Sequence, residues 1–458
     1  MKKLIVVLLL LSMVFCSAFA GGDKETKVPA EEAKPTGTVE VEWWTYFGQA
    51  NINYLQKVID AFNASQSDYH VNIEYQGSQL EMIAKMQSTL KADLPAMFNC
   101  AIENIGMLIP ADYCINAQIY LDADEEGWPE LENTYEAFRS AYSDKDGNLV
   151  GYPNGVSYPT IYYNKDMLDK AGIDPFSLTS VDKVYEACKK LVNEGYCTYG
   201  IGFHTDGGYY FNSSLAREGI LAFDNENGYA GDITTCYYTD GGEVQDAVTK
   251  YLEFYKNLYA ENLAVAYGAN YSSEVLPLMA ANDCAMLMGV ISMTTKVLST
   301  VDGAFEVGVI PLPSVTPSGK RGGEPAGGTG LFIADNGKKW AMQGAYEFMK
   351  FCSQAEQAGY FASATGYLAP STDAFNSEVY QDYMENIFPA ISVVYDSLAN
   401  SDDSAKMPLC AISSTIKSAN KLAIETVANY PTDASVKSAI KAAQDTIQDA
   451  IELYNLSN

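Results

Sequence analysis

Carboxylates and tyrosines are the side chains numerous enough here to build a site. The 58 Asp and Glu residues could supply the paired carboxyls of glycoside chemistry, which need only stand about 5–9 Å apart. No local spacing singles out such a pair, and an acidic residue in so acidic a chain reads first as a solvated charge. The 33 tyrosines and 4 tryptophans are more telling. A tyrosine offers a flat apolar face with a hydroxyl at its tip, which suits a sugar ring with its C–H faces and hydroxyl rim. Most of these rings read as core. The exceptions are those just after strands, where α/β folds gather ligands; Trp44 and Tyr46 in "VEVEWWTYFG" stand at such a place.

Other chemistries find no support. The two histidines, His70 and His204, are far apart, and there is no HExxH, so zinc hydrolysis is not expected. There is no G-x-S-x-G elbow. The loop "GKRGGEPAGGTG" lacks the Gly-Lys-Ser/Thr ending of a phosphate-binding loop, because Arg321 follows Gly319-Lys320. It reads as a surface connection or as backbone amides lining a cleft. Asp144-Lys145-Asp146-Gly147-Asn148 resembles a calcium loop only at its start. The sixth and twelfth places, where that loop needs Gly and Glu, hold Leu149 and Gly155. A tight Asp-Gly turn is expected instead, with no metal and no cofactor.

The elements that would position a site alternate. Val39, Val41 and Trp43 recur with period two; Ile52, Leu55, Ile59 and Phe62 at helical spacing; Val71, Ile73 and Tyr75 again with period two. A weaker helical stripe, Leu80, Ile83, Gln87 and Leu90, precedes the short apolar run Leu94 to Phe98. This βαβαβ order predicts a parallel sheet with right-handed crossovers. Further helices are expected around Asp182–Val192 and Ala247–Leu258, and a strand over Phe305–Ile310. A last helix is capped by Thr432 and carries Val436, Ile440, Ala443, Ile447 and Ile451 on one stripe. Cys284 and Cys352 fall in apolar, helix-like patterns and read as buried thiols.

The 458 residues suffice for several domains or one large two-lobed protein. A net charge of −29 argues against nucleic acid and against adhesion to an anionic membrane surface. Lys2 and Lys3 precede a short apolar run, Leu4 to Phe15, and Ala18-Phe19-Ala20 offers a small-x-small cleavage site. Residues 1–20 therefore read as a signal peptide and 21–38 as a flexible tether. Lipid attachment at Cys16 is the rival reading, with Phe15 where a small residue is usual. Eight cysteines remain after the signal, and sequence alone chooses no pairing among them.

Six segments in order, "VEVEWWTYFG", "VIDAFNASQSDYHVNIEY", "YPTIYYNKDMLDKAGIDP", "NDCAM", "AGGTGLFIAD" and "ATGYLAPST", resemble family 1 extracellular solute-binding proteins of ABC importers. The resemblance is to the sugar-binding group, and within it to the periplasmic glycerol-3-phosphate-binding subgroup. It implies an α/β, two-lobed periplasmic-binding-protein-like fold (type II), each lobe a mainly parallel sheet flanked by helices. Lobe 1 would comprise residues 39–153 plus 308–372, and lobe 2 residues 154–307 plus 373–458. Tyr152–Ser157 would cross between the lobes, with further crossings near Glu306–Pro311 and after Ala369.

The resemblance also implies a non-enzymatic, monomeric protein outside the cytoplasm that closes on a sugar or polyol and docks on ABC permease subunits. It carries ligand contacts onto Ser157, Gly328, Tyr367 and Glu103. Gln79 stands where a ligand tyrosine would be, and Val290 replaces a serine, leaving Ser292 two residues on. His204 lies in a loop where relatives place a tryptophan. The family's phosphate-gripping arginine has no counterpart among Arg139, Arg217 and Arg321, and Lys406 is a poor substitute. The expectation therefore turns to a neutral sugar or oligosaccharide. A glycerol-3-phosphate or glycerophosphodiester binder is the alternative within the family. An exported carbohydrate-active enzyme and a surface adhesin are the alternatives from other classes.

Overall fold

The period-two alternation at the start of the chain builds the first layer. In the computed structural model, which describes residues 33–108, 113–144, 146–204, 207–316, 323–325, 327–399, 401 and 404–457, Val39–Thr45 is strand β1. Its Val41 and Trp43 face helix α1 (Gln49–Ser65), burying Leu55, Val58, Ile59 and Phe62. Trp44 points the other way, onto Met82, Ile83 and Met86 of α2 (Gln79–Ser88). Helix α2 begins with a capping box: Ser78 accepts from the Glu81 amide, and the Glu81 carboxylate accepts from the Ser78 amide. The expected signal peptide, most of the tether, and Cys16 lie outside the described residues.

Sheet 1 has the order β2-β1-β3-β10-β4, with β5 also on β10. Strand β2 is Tyr69–Tyr75 and β3 is Met97–Ala101; both run parallel to β1, as the βαβαβ pattern predicts. A short helix, α3 (Ile102–Ile105), follows β3. Strands β4 (Cys114–Ile115) and β5 (Tyr152–Ser157) share the second edge of β10 (Gly327–Ala334), which returns antiparallel from much later in the chain. Sheet 2 has the order β7-β8-β6-β9, made of β6 (Pro159–Asn164), β7 (Tyr199–Phe203), β8 (Cys284–Val290) and β9 (Val307–Pro311). Helices α4 (Val181–Asn193), α5 (Gly207–Arg217) and α6 (Gly242–Ala260) build one apolar layer in this lobe. Helix α7 (Thr294–Val301) lies in a second apolar cluster. Helices α8 (Lys339–Ser353) and α9 (Ala355–Thr365) return to lobe 1. Helix α10 (Ser392–Ala399) lies against β9, and α11 (Ser413–Asn429) and α12 (Asp433–Ser457) complete the α4–α6 layer.

Strand partners locate the crossings. The expected break between residues 153 and 154 falls inside β5, whose pairing with β10 carries sheet 1 through Ser157. The expected break between 307 and 308 falls inside β9, which pairs with β6 in sheet 2. Cys284 opens strand β8 rather than sitting in a helix. A short apolar run bounded by Asn-Asp does not distinguish a buried strand from a buried helix by periodicity. Cys188, Cys236, Cys284 and Cys352 are buried thiols, and burial pushes the Cys236 thiol up to about 12. The Asp144 segment is a turn: its carboxylate accepts from the amides of Asp146 and Asn148, both at 2.9 Å. Among the described residues no group of His, Cys, Asp or Glu is arranged to hold a metal, and no helix is long and apolar enough to cross a membrane.

The α12 N-cap is as the sequence implies: Thr432 Oγ1 accepts from the Ser435 amide at 3.1 Å. Thr432→Ala should lower unfolding stability by about 1 kcal/mol, read as a reduced urea midpoint at unchanged slope.

Candidate functional site

The strand registers align two sheet edges toward each other. On sheet 1, β1 and β2 end together at Thr45 and Tyr75, and β3 ends nearby at Ala101. Antiparallel β10 begins at Gly327 on the same side, because Thr329 pairs with Ala101. Strand β5 ends there too, since Ser157 pairs with Gly327. Five strand ends at about 4.8 Å spacing make an edge ~19 Å long. On sheet 2 the matching edge carries His204 just past β7, Ser292 just past β8, and Pro159, which pairs with Val290 at the start of β6. Parallel strands thus present their C-terminal ends to the space between the lobes, where an α/β fold holds its ligands.

Four predicted residues meet where these edges join. Ser157 is buried, and its Oγ accepts from the Ser292 amide at 3.1 Å, a bond from one sheet's edge to the other's. Gly328 lies opposite Val156 with φ 97°, and a Cβ there would sit 2.0 Å from the Gly155 carbonyl oxygen. Val156 also accepts from the Leu368 amide at 2.9 Å, which holds the segment after α9 against β5. That brings in Tyr367, 9% exposed, stacked on Phe361 at 5.8 Å and flanked by Phe47 at 6.3 Å. A Cβ on Gly155 would lie 3.2 Å from the Tyr367 ring. On the lobe 2 side Gly366 packs against Thr294 and Thr295, so the Tyr367 turn touches both halves.

The other predicted residues are spread along the edges. Tyr46 is half-buried beside Phe47, ring centroids 5.2 Å apart. Gln79, in the first turn of α2, reaches the Cys100 Sγ at 3.5 Å. Glu103 lies on α3; its side chain is outside the description. His204 donates its backbone N–H to Met288, and its ring lies 4.7 Å from that of Tyr271. Trp44 does not join the group. It is 4% exposed, its Nε1 donates to Glu42 at 2.7 Å, and the Lys85 ammonium covers its ring at 3.9 Å.

Sequence reasoning passed over two residues. Tyr209, in α5 of lobe 2, brings its hydroxyl to within 2.1 Å of where a Cβ on Gly327 would stand. The available signal was the Gly207-Gly208 pair, which lets the helix approach closely; a Cβ on Gly208 would meet the Lys417 carbonyl at 1.9 Å. Asn154 on β5 is buried, and its Nδ2 has no hydrogen-bond partner among the described residues. The lobes also meet directly at Gly106 and Cys410, where an added Cβ would lie 2.9 Å from the Cys410 carbonyl oxygen. Burial pushes the hydroxyls of Tyr158 and Tyr162 well above the ordinary tyrosine range. Both therefore stay neutral hydrogen donors at ordinary pH.

Comparison with known proteins fits this arrangement. Residues 57–389 match the family described as bacterial extracellular solute-binding protein. The sn-glycerol-3-phosphate-binding periplasmic protein UgpB of Brucella melitensis is 24% identical over 351 residues, 76% of this chain and 78% of the relative. UgpB of Agrobacterium fabrum is 24% identical over 343 residues, covering 73% and 75%. Among solved structures, the cyclic alpha-maltosyl-1,6-maltose binding protein of Arthrobacter globiformis superposes with a TM-score of 0.68 at 19% identity, covering 91% of this chain and 99% of that one. The GacH receptor of Streptomyces glaucescens superposes at 0.72 and 17%, with the same coverage.

Gly328 tests the junction. Gly328→Ala forces a Cβ onto the Gly155 carbonyl at a positive φ. It should cost about 1–3 kcal/mol of stability, measured by urea unfolding.

Proposed function

The chain belongs to the bacterial extracellular solute-binding protein family, whose members serve ABC transporters outside the cytoplasm, and from that premise we propose that it captures a neutral sugar or oligosaccharide between its two lobes. The observation that carries this reading is the uncharged group at the meeting edges: Ser157, Ser292, Gly328 and Tyr367, with Tyr209 reaching in from α5. Hydroxyls, backbone amides and an aromatic face match a ring with apolar faces and a hydroxyl rim. The edge about 19 Å long leaves room for several linked rings, with Tyr46, Gln79 and Glu103 along it and His204 on the facing edge as further contacts, and Trp44 as packing behind them.

The arginines favour a neutral ligand over glycerol-3-phosphate. Arg217 is buried in a pair with Glu324, and Arg139 is exposed on the short helix Glu136–Ala141. Lys406 is paired with Glu226. Arg321 lies outside the described residues. A phosphate would call for a guanidinium or ammonium at the site, and among the described residues the gathered group of Ser157, Ser292, Gly328, Tyr367 and Tyr209 includes no cation.

Capture is a population shift. The closed arrangement gains contacts from both lobes and the open one from a single lobe. The protein works as a monomer, exported by its N-terminal segment, and performs no reaction on the sugar. Its lobes are residues 39–157 with 327–370, and 158–316 with the C-terminal helices.

Native mass spectrometry of freshly purified protein should reveal a retained neutral carbohydrate. A thermal-shift panel of neutral mono- and oligosaccharides and sn-glycerol-3-phosphate should give stabilisation by a sugar, equivalent to about 2.7 kcal/mol at a hundredfold excess over Kd. A shift with sn-glycerol-3-phosphate alone would transfer the reading to the phosphate binders. Recovery of hydrolysed sugar after incubation would transfer it to an enzyme. Tyr367→Ala should weaken binding of the stabilising sugar at least tenfold, about 1.4 kcal/mol, in isothermal titration, while the folded circular dichroism spectrum is kept.

A further inference from the structure

One helical turn is bonded to all three places where the chain passes between the lobes. At the first, Tyr158 donates its hydroxyl to the Val394 carbonyl of α10. At the second, between β9 and β10, the Glu324 carboxylate accepts from the Ser397 hydroxyl of α10 and from the Arg217 guanidinium of α5. The Glu324 amide also donates to Ser401 Oγ at 2.7 Å, just beyond α10. At the third, after Tyr367, the Ala369 amide donates to the Tyr395 hydroxyl of α10 at 2.8 Å. Residues 394, 395 and 397 lie within about one turn, so three crossings separated widely in sequence share one rigid support.

The support holds a buried ion pair, and both border a cavity. The Arg217 and Glu324 side chains are 2% and 1% exposed, and removing either partner of such a pair strands a buried charge. Beside it is a cavity of about 330 Å³ lined by Phe176, Pro311, Val393, Asp396 and Ser397 among others. Lobe motion turns the backbone at the crossings, so every crossing that bends must load its bond to α10. The cavity gives the helix room to shift without clashing with its neighbours.

We propose that α10 is a hinge clasp, a conformational device that sets the ratio of open to closed lobes before any solute binds. The bonds described coexist with lobes that touch at Gly106 and Cys410. Loosening the clasp therefore releases the population toward separated lobes, by as much as those bonds favour the touching arrangement. The proposal rests on two lobes that move, not on the identity of the solute.

The test uses the whole solute-free protein. Nitroxides are attached through non-natural amino acids at the exposed Gln56 of α1 and Asp449 of α12, which leaves the native thiols alone, and their separation is measured by pulsed electron paramagnetic resonance. The double variant Tyr395→Phe, Ser397→Ala removes two hydroxyls and keeps the Arg217–Glu324 pair. Its longer-distance population should rise at least twofold over the parent. Ser438→Ala, which removes an exposed hydroxyl from α12, should leave the distribution unchanged. Tyr158→Phe alone should shift it in the same direction, and it carries the test if the double variant does not fold. A distribution superimposable on the parent's in the folded clasp variants overturns the proposal. So does an equal shift in Ser438→Ala. Because no sugar is added, failure of the sugar reading would leave this outcome untouched.

Discussion

A single residue joins the two sheets. Strand β5 ends at Ser157 and β6 begins at Pro159, so Tyr158 alone separates a strand of sheet 1 from a strand of sheet 2. Consecutive Cα atoms are about 3.8 Å apart, and one residue leaves no slack. The sheets must therefore meet end to end, and the strand ends nearest the joint must face across the gap between lobes. Tyr158 is buried there, its carbonyl accepting from the Ile291 amide at 3.1 Å. The hydrogen bond from the Ser292 amide to Ser157 follows from that short joint. Pro159 suits the position because the first residue of a strand can forgo its amide donor.

Charge is partitioned in a way that fits this geometry. The chain carries 58 acidic against 29 basic residues. Such an imbalance favours solubility and disfavours compaction through self-repulsion, so the charges belong at the surface. The buried Arg217–Glu324 pair departs from that pattern. It stands behind the joint, where the Ser397 hydroxyl donates to the Glu324 carboxylate while the buried Arg217 Nε has no partner among the described residues. The group at the meeting edges is built from hydroxyls, glycine backbone and aromatic faces.

The local elements were legible because their signals are local. Strands β1 and β2, helix α1 and the capped start of α12 each follow from side-chain periodicity or from one capping residue. The same reasoning failed where a signal is shared by two structures, as with the apolar run at Cys284, and local periodicity does not show that strand pairing continues through residues 153 and 307. Of the residues gathered at the meeting edges, Ser157, Ser292, Gly328 and Tyr367 were nameable through a family resemblance. Asn154 was not, because nothing near it in sequence marks it off from the other amides, and the Gly207-Gly208 pair beside Tyr209 signals a close helix approach without naming what that tyrosine meets.

By itself the sequence determined an exported-looking acidic chain, an alternating α/β architecture, the parallel opening of sheet 1, and the absence of metal-site and nucleophile motifs. Those properties depend on composition and on spacings of a few residues. Only the tertiary structure decided that β10 returns to pair with β3 and β5, that Trp44 lies under Lys85, and that one turn of α10 bonds Tyr158, Glu324 and Ala369. Each of these depends on partners many tens to hundreds of residues apart, and chain proximity of that kind leaves no periodic trace in the sequence.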